Sequence, residues 1–274
     1  MYLDYFGLRE NPFNVTSDPD FLYLSNTHKE AIDHLLYGIR ERKGFIAITG
    51  EVGSGKTTLC RALMNSVDSG TNTSLIFNSN LPESQLLEAV LMDFGITPSR
   101  RSRIAFLKDL NDFLLDQLRE GRNNVLIIDE AQNLRDSALE TIRMLSNLET
   151  HKEKLLQIIL VGQPQLKDKL DSPELEQLKQ RISVRFHLTA LGRDEIPAYI
   201  HHRLDVAGNR GNIEFPEVTL DRIYDYTKGI PRKINLVCDK SLLTGFVNET
   251  GYISPDTVAN SINEIEGIRK PSLT

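Results

Sequence analysis

The sequence predicts an α/β protein, with a core on a five-stranded parallel sheet and a small all-helical domain after it. Three observations carry this reading. Short apolar runs alternate with longer amphipathic ones as far as Leu188. Four of the five short runs are near-continuous Ile, Leu and Val, the pattern of strands covered on both faces. Beyond Leu188, strand signals almost vanish and helical periodicity continues alone.

Taken in order, the first 43 residues differ from both parts, and the stretch before Thr27 shows neither period. Six of the 19 aromatic residues (Tyr2, Tyr5, Phe6, Phe13, Phe21 and Tyr23) fall in a stretch that also carries Pro and Asp. Rings so placed read as pins that hold an extended amino-terminal arm to the core; the sharper alternative is that part of the arm walls a ligand pocket. Thr27-His28-Lys29-Glu30 has capping-box spacing, so a helix is expected from Thr27, with Ile32, Leu35, Leu36 and Ile39 as its apolar stripe. Strands are predicted at Phe45–Thr49, Ser74–Asn78, Val125–Asp129, Gln157–Val161 and Val184–Leu188. Between them helices are predicted at Lys56–Val67, Pro82–Phe94, Ile104–Glu120, Ser137–Glu149 and Glu174–Arg181, joined by right-handed crossovers. The last third carries helical patterns at Arg193–Val206, Glu217–Lys228, Pro231–Val247 and Pro255–Ile265, punctuated by Gly208, Gly211, Gly229 and Gly251. The expected division is therefore 1–43 for an arm and its helix, 44–190 for the core, 191–267 for the helical domain and 268–274 for a tail.

Composition removes several classes. With 274 residues, 40% of them hydrophobic, the chain can bury a sizeable core. Its net charge is −6, so no global positive field draws it to nucleic acid or an anionic membrane. Two cysteines, Cys60 and Cys238, have no CxxC or metal-ligand spacing, which sets aside a disulfide scaffold and a zinc finger. The amino end lacks signal-peptide regions, and no apolar run approaches the ~18 residues that span a bilayer. A reduced, cytoplasmic protein is expected. His201 and His202 are adjacent, point to different helix faces and make a poor metal pair.

The strongest chemical signal is Gly50-Glu51-Val52-Gly53-Ser54-Gly55-Lys56-Thr57, a full G-x-x-x-x-G-K-[ST] match between a predicted strand and a predicted helix. Glycines let successive N–H groups curl toward phosphate oxygens, and the following helix end adds a favourable dipole. Lys56 then reaches the β- and γ-phosphates, and the Thr57 hydroxyl ligates Mg²⁺. Val125-Leu126-Ile127-Ile128-Asp129-Glu130 delivers two carboxylates at the carboxyl end of a buried strand, where α/β folds place their sites. Asp129 is expected to hold Mg²⁺ through water and Glu130 to act as general base on the attacking water. Gln163, at the tip of the next strand, is the candidate for touching both γ-phosphate and water.

Arginine supplies the remaining candidates. Arg181 and Arg185 flank the entry to the last core strand, and either suits a transition-state role given in trans to a neighbouring subunit. In Gly229-Ile230-Pro231-Arg232, Arg232 sits at a helix amino end, against the preference of the dipole, which points to a nearby anion such as a γ-phosphate. Arg100, Arg101 and Arg103 form the one dense basic cluster and read as a solvated face.

Phosphate loop, Asp-Glu strand, polar strand tip, arginines before the last core strand and Gly-x-Pro-Arg in a helical lid occur in the order of AAA+ ATPases, which this chain resembles. In those terms Gly50–Thr57, with Thr58 following, looks like Walker A, and Asp129-Glu130 like Walker B. Gln163 takes the sensor-one position, where Asn, Ser or Thr is more usual; Arg181 or Arg185 takes that of the arginine finger and Arg232 that of sensor two. The amino end is more specific. Tyr5-Phe6-Gly7-Leu8, Glu10, Pro12-Phe13, Asp18-Pro19, Phe21-Leu22-Tyr23, His28, Glu30-Ala31 and Tyr37-Gly38-Ile39 resemble the ExeA/GspA group of type II secretion, MSHA-type pilus and exosortase-linked systems. That resemblance runs from Met1 to about Gly267 and implies that Asn11-Pro12-Phe13 lies near the adenine.

The resemblance implies a Mg²⁺-dependent ATP hydrolase that acts as an assembly motor or switch for a bacterial secretion or pilus apparatus. Its cofactors would be ATP/ADP and Mg²⁺. It would work as a homo-oligomer with the finger in trans, beside an inner-membrane or secretion-system partner protein. Longer members of the group continue into a transmembrane helix and a peptidoglycan-binding region; a chain stopping at Thr274 is expected to be cytoplasmic, peripheral at the inner membrane, or the cytoplasmic domain of a longer membrane protein. Two other readings compete: an AAA+ regulator of DNA transposition of the TniB/TnsC kind, and a nucleotide-gated scaffold with little turnover. Nucleic acid is not the expected partner, given the charge and the amino-terminal signature.

Overall fold

A computed structural model describes residues 2–14, 18–77 and 81–268 of the chain. The chain divides into two compact units: Asn26–Glu51 with Leu59–Leu188, and Met1–Ser25 with Val52–Thr58 and Thr189–Thr274.

The first unit is the α/β layer structure. In chain order it contains helix α2 (Asn26–Arg40), strand β1 (Phe45–Gly50), most of α3 (Lys56–Ser66), β2 (Thr71–Ile76), α4 (Glu83–Asp93) and α5 (Arg103–Arg119). There follow β3 (Asn123–Ile128), α6 (Asp136–Leu145), β4 (Gln157–Gly162), α7 (Pro164–Leu170), the single turn α8 (Glu176–Lys179) and β5 (Ile182–Leu188). All pairings are parallel and the strand order is β2-β3-β4-β1-β5. The sequence explains why. In β1, β3 and β4 the runs 45–48, 125–128 and 158–161 are wholly apolar because each strand is covered twice. Phe45, Ala47, Leu126, Ile128, Ile158 and Leu160 enter one core, which α4 to α8 complete. Their neighbours Ile46, Ile48, Val125, Ile127, Ile159 and Val161 enter another, which α2 and α3 complete through Leu35, Ile39, Leu59 and Leu63. β2 is a sheet edge, and there the polar Thr71, Asn72 and Thr73 belong to the strand. The expected strand end, Asn78, lies outside the described residues.

The second unit carries α1 (Tyr2–Phe6), α9 (Ile196–Val206), α10 (Glu217–Thr227), α11 (Pro231–Val247) and α12 (Pro255–Ile265). Its core joins Ile196, Ile200, Ile223, Ile234 and Leu242 to four residues of the amino-terminal stretch, Phe6, Leu8, Phe13 and Phe21. The aromatic arm is thus an integral part of the helical unit's core, where an arm pinned to the α/β core was expected, and it opens with a short helix. Expected stretch 1–43 divides at Ser25. Asn26 already lies in α2, so the helix starts one residue before the expected Thr27. α6 ends at Leu145, four residues before the expected Glu149, in a turn closed by Leu148 N–H donating to Leu145 C=O.

Candidate functional site

The phosphate-loop motif occupies the turn between β1 and α3, with Gly50 closing the strand and Lys56 opening the helix. Gly53 and Gly55 have φ of +80° and +97°, a region that a side chain disfavours, so these two glycines of the motif are required by the backbone itself. Ser54 and Lys56 are buried. Ser54 Oγ has no hydrogen-bond partner, an orphaned polar atom within the loop. Arg232 N–H donates to Gly53 C=O at 3.2 Å, so the start of α11 rests on the loop. A Cβ added to Gly53 would stand 2.5 Å from Arg232 Cβ. The Arg232 side chain is exposed and has no hydrogen-bond or ion-pair partner among the described residues, consistent with a cation kept for an anion.

The carboxylates are at the end of β3. Asp129 is 1% exposed, and its Oδ1 accepts the Glu130 N–H at 2.8 Å. Glu130 has φ 52° and ψ 36°. Among the described residues, the other non-glycines with positive φ, Arg42, Lys228 and Glu249, follow helices; Glu130 follows a strand, and its left-handed turn starts the short 3₁₀ segment Ala131–Asn133. Gln163, the residue before α7, donates from Nε2 to Glu130 Oε2 at 3.0 Å. Gln132 donates to that same oxygen at 2.5 Å. The structure therefore brings Glu130 and Gln163 together as the sequence suggests, and adds Gln132, which the sequence reading missed. Its signal was only a polar residue two places after Glu130.

The arginines separate. Arg181 Nη1 donates to Ser146 Oγ at 2.7 Å, to Arg143 C=O at 3.3 Å and to Asn147 Oδ1, which ties it to the carboxyl end of α6. Arg185 is exposed on β5 and pairs with Asp171 at 3.1 Å, where Lys179 and Arg185 hold the Asp171 carboxyl below its usual range. Arg185 and His187 also line a cavity of about 480 Å³ with Thr49, Lys167, Asp168 and Phe186; Thr49 Oγ1 and His187 Nδ1 are 2.9 Å apart. In the basic cluster, Arg101 pairs with Glu88 and Arg103 with Glu83, so α4 carboxylates meet two of its charges.

At the amino end, Phe13 is 1% exposed and packs edge-to-face on Phe215, so its ring serves the helical core and is not presented to a base. Asn11 Nδ2 donates to Asp239 Oδ1 at 3.0 Å, and its own Oδ1 accepts the Phe13 N–H at 2.8 Å. Arg203, also missed in the sequence, is buried with its Nε on Pro12 C=O, its Nη2 on Asn14 C=O and its guanidinium 4.8 Å from the Phe21 ring. Cys60 and Cys238 are free buried thiols.

Comparison with known proteins agrees with this arrangement. Residues 39–170 match the family model described as an AAA domain. Over 270 residues, 98% of its length, the chain is 41% identical to general secretion pathway protein A of Aeromonas hydrophila, and it spans about half of that relative, 49%. Among solved structures, the ORC2 protein of Aeropyrum pernix in ADPNP–ADP complexes gives a TM-score of 0.69 at 18% identity, covering 93% of this chain and 71% of that one. Cdc6p from Pyrobaculum aerophilum gives 0.68 at 19% identity, covering 90% and 71%. The Thermotoga maritima RuvB Holliday junction branch migration motor gives 0.58 at 17% identity, covering 87% and 68%. These solved structures share the fold. The sheet order, the glycine loop and the matched domain define an α/β protein of the AAA+ P-loop class. Within that class, the 41% identity over 98% of the chain supports the ExeA/GspA family.

Proposed function

We propose that this protein binds ATP with Mg²⁺, hydrolyses it, and uses the cycle as an assembly motor or switch for a bacterial secretion or pilus apparatus. The observation that carries the reading is the loop between β1 and α3, whose two left-handed glycines and buried Ser54 and Lys56 form a cradle suited to phosphate. Backbone N–H groups of Gly53, Ser54, Gly55, Lys56, Thr57 and Thr58, with the amino end of α3, bind phosphate oxygens, and Lys56 adds charge. The Thr57 hydroxyl and Asp129 carboxylate are hard oxygen donors that fit Mg²⁺, which when bound neutralises charge on the β- and γ-phosphates. Glu130, oriented by two amides, accepts the proton of the attacking water. Arg232 meets the γ-phosphate, and Arg181 or Arg185 serves a neighbouring subunit. Asn11 and Phe13 act near the base through the backbone they hold in place.

Similarity to general secretion pathway protein A supports a partner in the secretion apparatus. No helix among the described residues is long and apolar enough to cross a membrane.

Two variants test the chemistry. Lys56→Ala is expected to lose ATP binding by more than about tenfold, while Glu130→Gln keeps binding and loses turnover by about 10²- to 10⁴-fold. A Glu130→Gln protein that turns over like the wild type removes Glu130 from the base role. A wild type that binds no adenine nucleotide ends the proposal.

A further inference from the structure

The Glu130 carboxylate is oriented by more than its own strand. The 3₁₀ turn Ala131–Asn133 folds the Gln132 side chain back over the end of β3. From there its Nε2 donates to Glu130 Oε2 at 2.5 Å, and its Oε1 accepts the backbone N–H of Gln163 at 3.0 Å. One planar amide thus links the tips of β3 and β4, using its donor on one and its acceptor on the other. Gln163 completes the ring by donating its own side-chain amide to the same Glu130 oxygen at 3.0 Å. Gly162 makes room for this: a Cβ there would lie 2.6 Å from Gln132 Oε1.

No other residue type fits this place equally well. Asn is one methylene shorter and cannot span both tips. Glu keeps the acceptor but has no donor for Glu130, and it would place a second carboxylate beside the first. Met fills the same volume with no comparable polar atom.

We propose that Gln132 is a positioning residue that fixes the Glu130 carboxylate and couples it to Gln163, so that a shift at the β4 tip is felt at the base. The proposal rests on the reading of Glu130 as the general base, and its test separates the two. In Gln132→Met, kcat for ATP is expected to fall by about tenfold to a hundredfold, as misplacement of a reacting group does. Nucleotide affinity stays within about twofold of wild type, and the melting temperature is little changed. Gln132→Glu is expected to lose turnover to a similar extent, although it retains the bond to the Gln163 N–H. A residue needed only for packing would be rescued by Met, so wild-type kcat in that variant overturns the proposal. Crystal structures of wild type and Gln132→Met give a readout independent of hydrolysis: the Glu130 carboxylate should leave the Gln163 amide in the variant. If the wild type proves inactive on ATP, the base role falls and this structural comparison alone decides the coupling. An unchanged Glu130–Gln163 bond overturns it.

Discussion

At the scale of single residues, Gly53 shows how closely the phosphate loop is specified. Its φ of +80° costs an alanine about 1–2 kcal/mol in backbone strain, and the added Cβ would also press on Arg232. Gly121 isolates the first effect, because its φ is +73° and nothing lies within 4 Å of a Cβ built there. Gly53→Ala is expected to weaken ATP binding by about tenfold or more and to lower the melting temperature more than Gly121→Ala, which costs strain alone, a few degrees at most. Equal melting temperatures and unchanged affinity for the two variants would show that the start of α11 yields to the loop. The same residue-level view separates Ser54 and Lys56, buried inside the motif, from Arg232, exposed beside it.

At the scale of elements, α9 and the amino-terminal stretch are held together by Arg203 and its neighbour His202. Burial, then the charge of Arg203, pushes the His202 imidazole below its ordinary value. In the unfolded chain the ring titrates near 6.5, so between that pH and its lowered folded value the unfolded state binds more protons. The contribution of His202 is therefore full above about pH 6.5 and is lost as the solution is acidified. Thermal melts from pH 8 to pH 5 should show a decline that is shallower in His202→Gln; identical slopes would remove this residue as the cause.

Elements also differ in how far the sequence announced them. α11 and α12 begin and end where their proline starts and apolar spacing indicate, and β1, β3 and β4 follow their apolar runs to within two residues. α6 was over-extended because Leu145 and Leu148 keep helical spacing through a turn, and both pack into the core. α1 was missed because one turn of mostly aromatic residues has too short a period to read. The site divided along the same line. Motif residues were legible because their chemistry fixes their order, whereas Gln132 and Arg203 act through bonds to distant backbone, which no local pattern encodes.

At the scale of the whole molecule, the proposed shared site would need one of two arginines to reach a neighbour. Arg181 is bound to the end of α6 and Arg185 is exposed with one acidic partner, so the two substitutions should separate. Arg185→Ala is expected to melt like the wild type, and Arg181→Ala to melt lower. If the finger acts in trans, specific activity rises with protein concentration, and mixing the inactive arginine variant with Lys56→Ala restores turnover in part. Constant specific activity across dilution would exclude a shared site. β5 bears on how such subunits meet. It closes one side of the sheet, and its Ser183, Arg185 and His187 are exposed at alternate positions. A rim carrying a guanidinium and an imidazole resists being lengthened by another chain's strand. If copies of this chain assemble on the β5 side, they would then abut through helices and loops, contacts that could open and close, and not through a continuous ladder that would lock them for good.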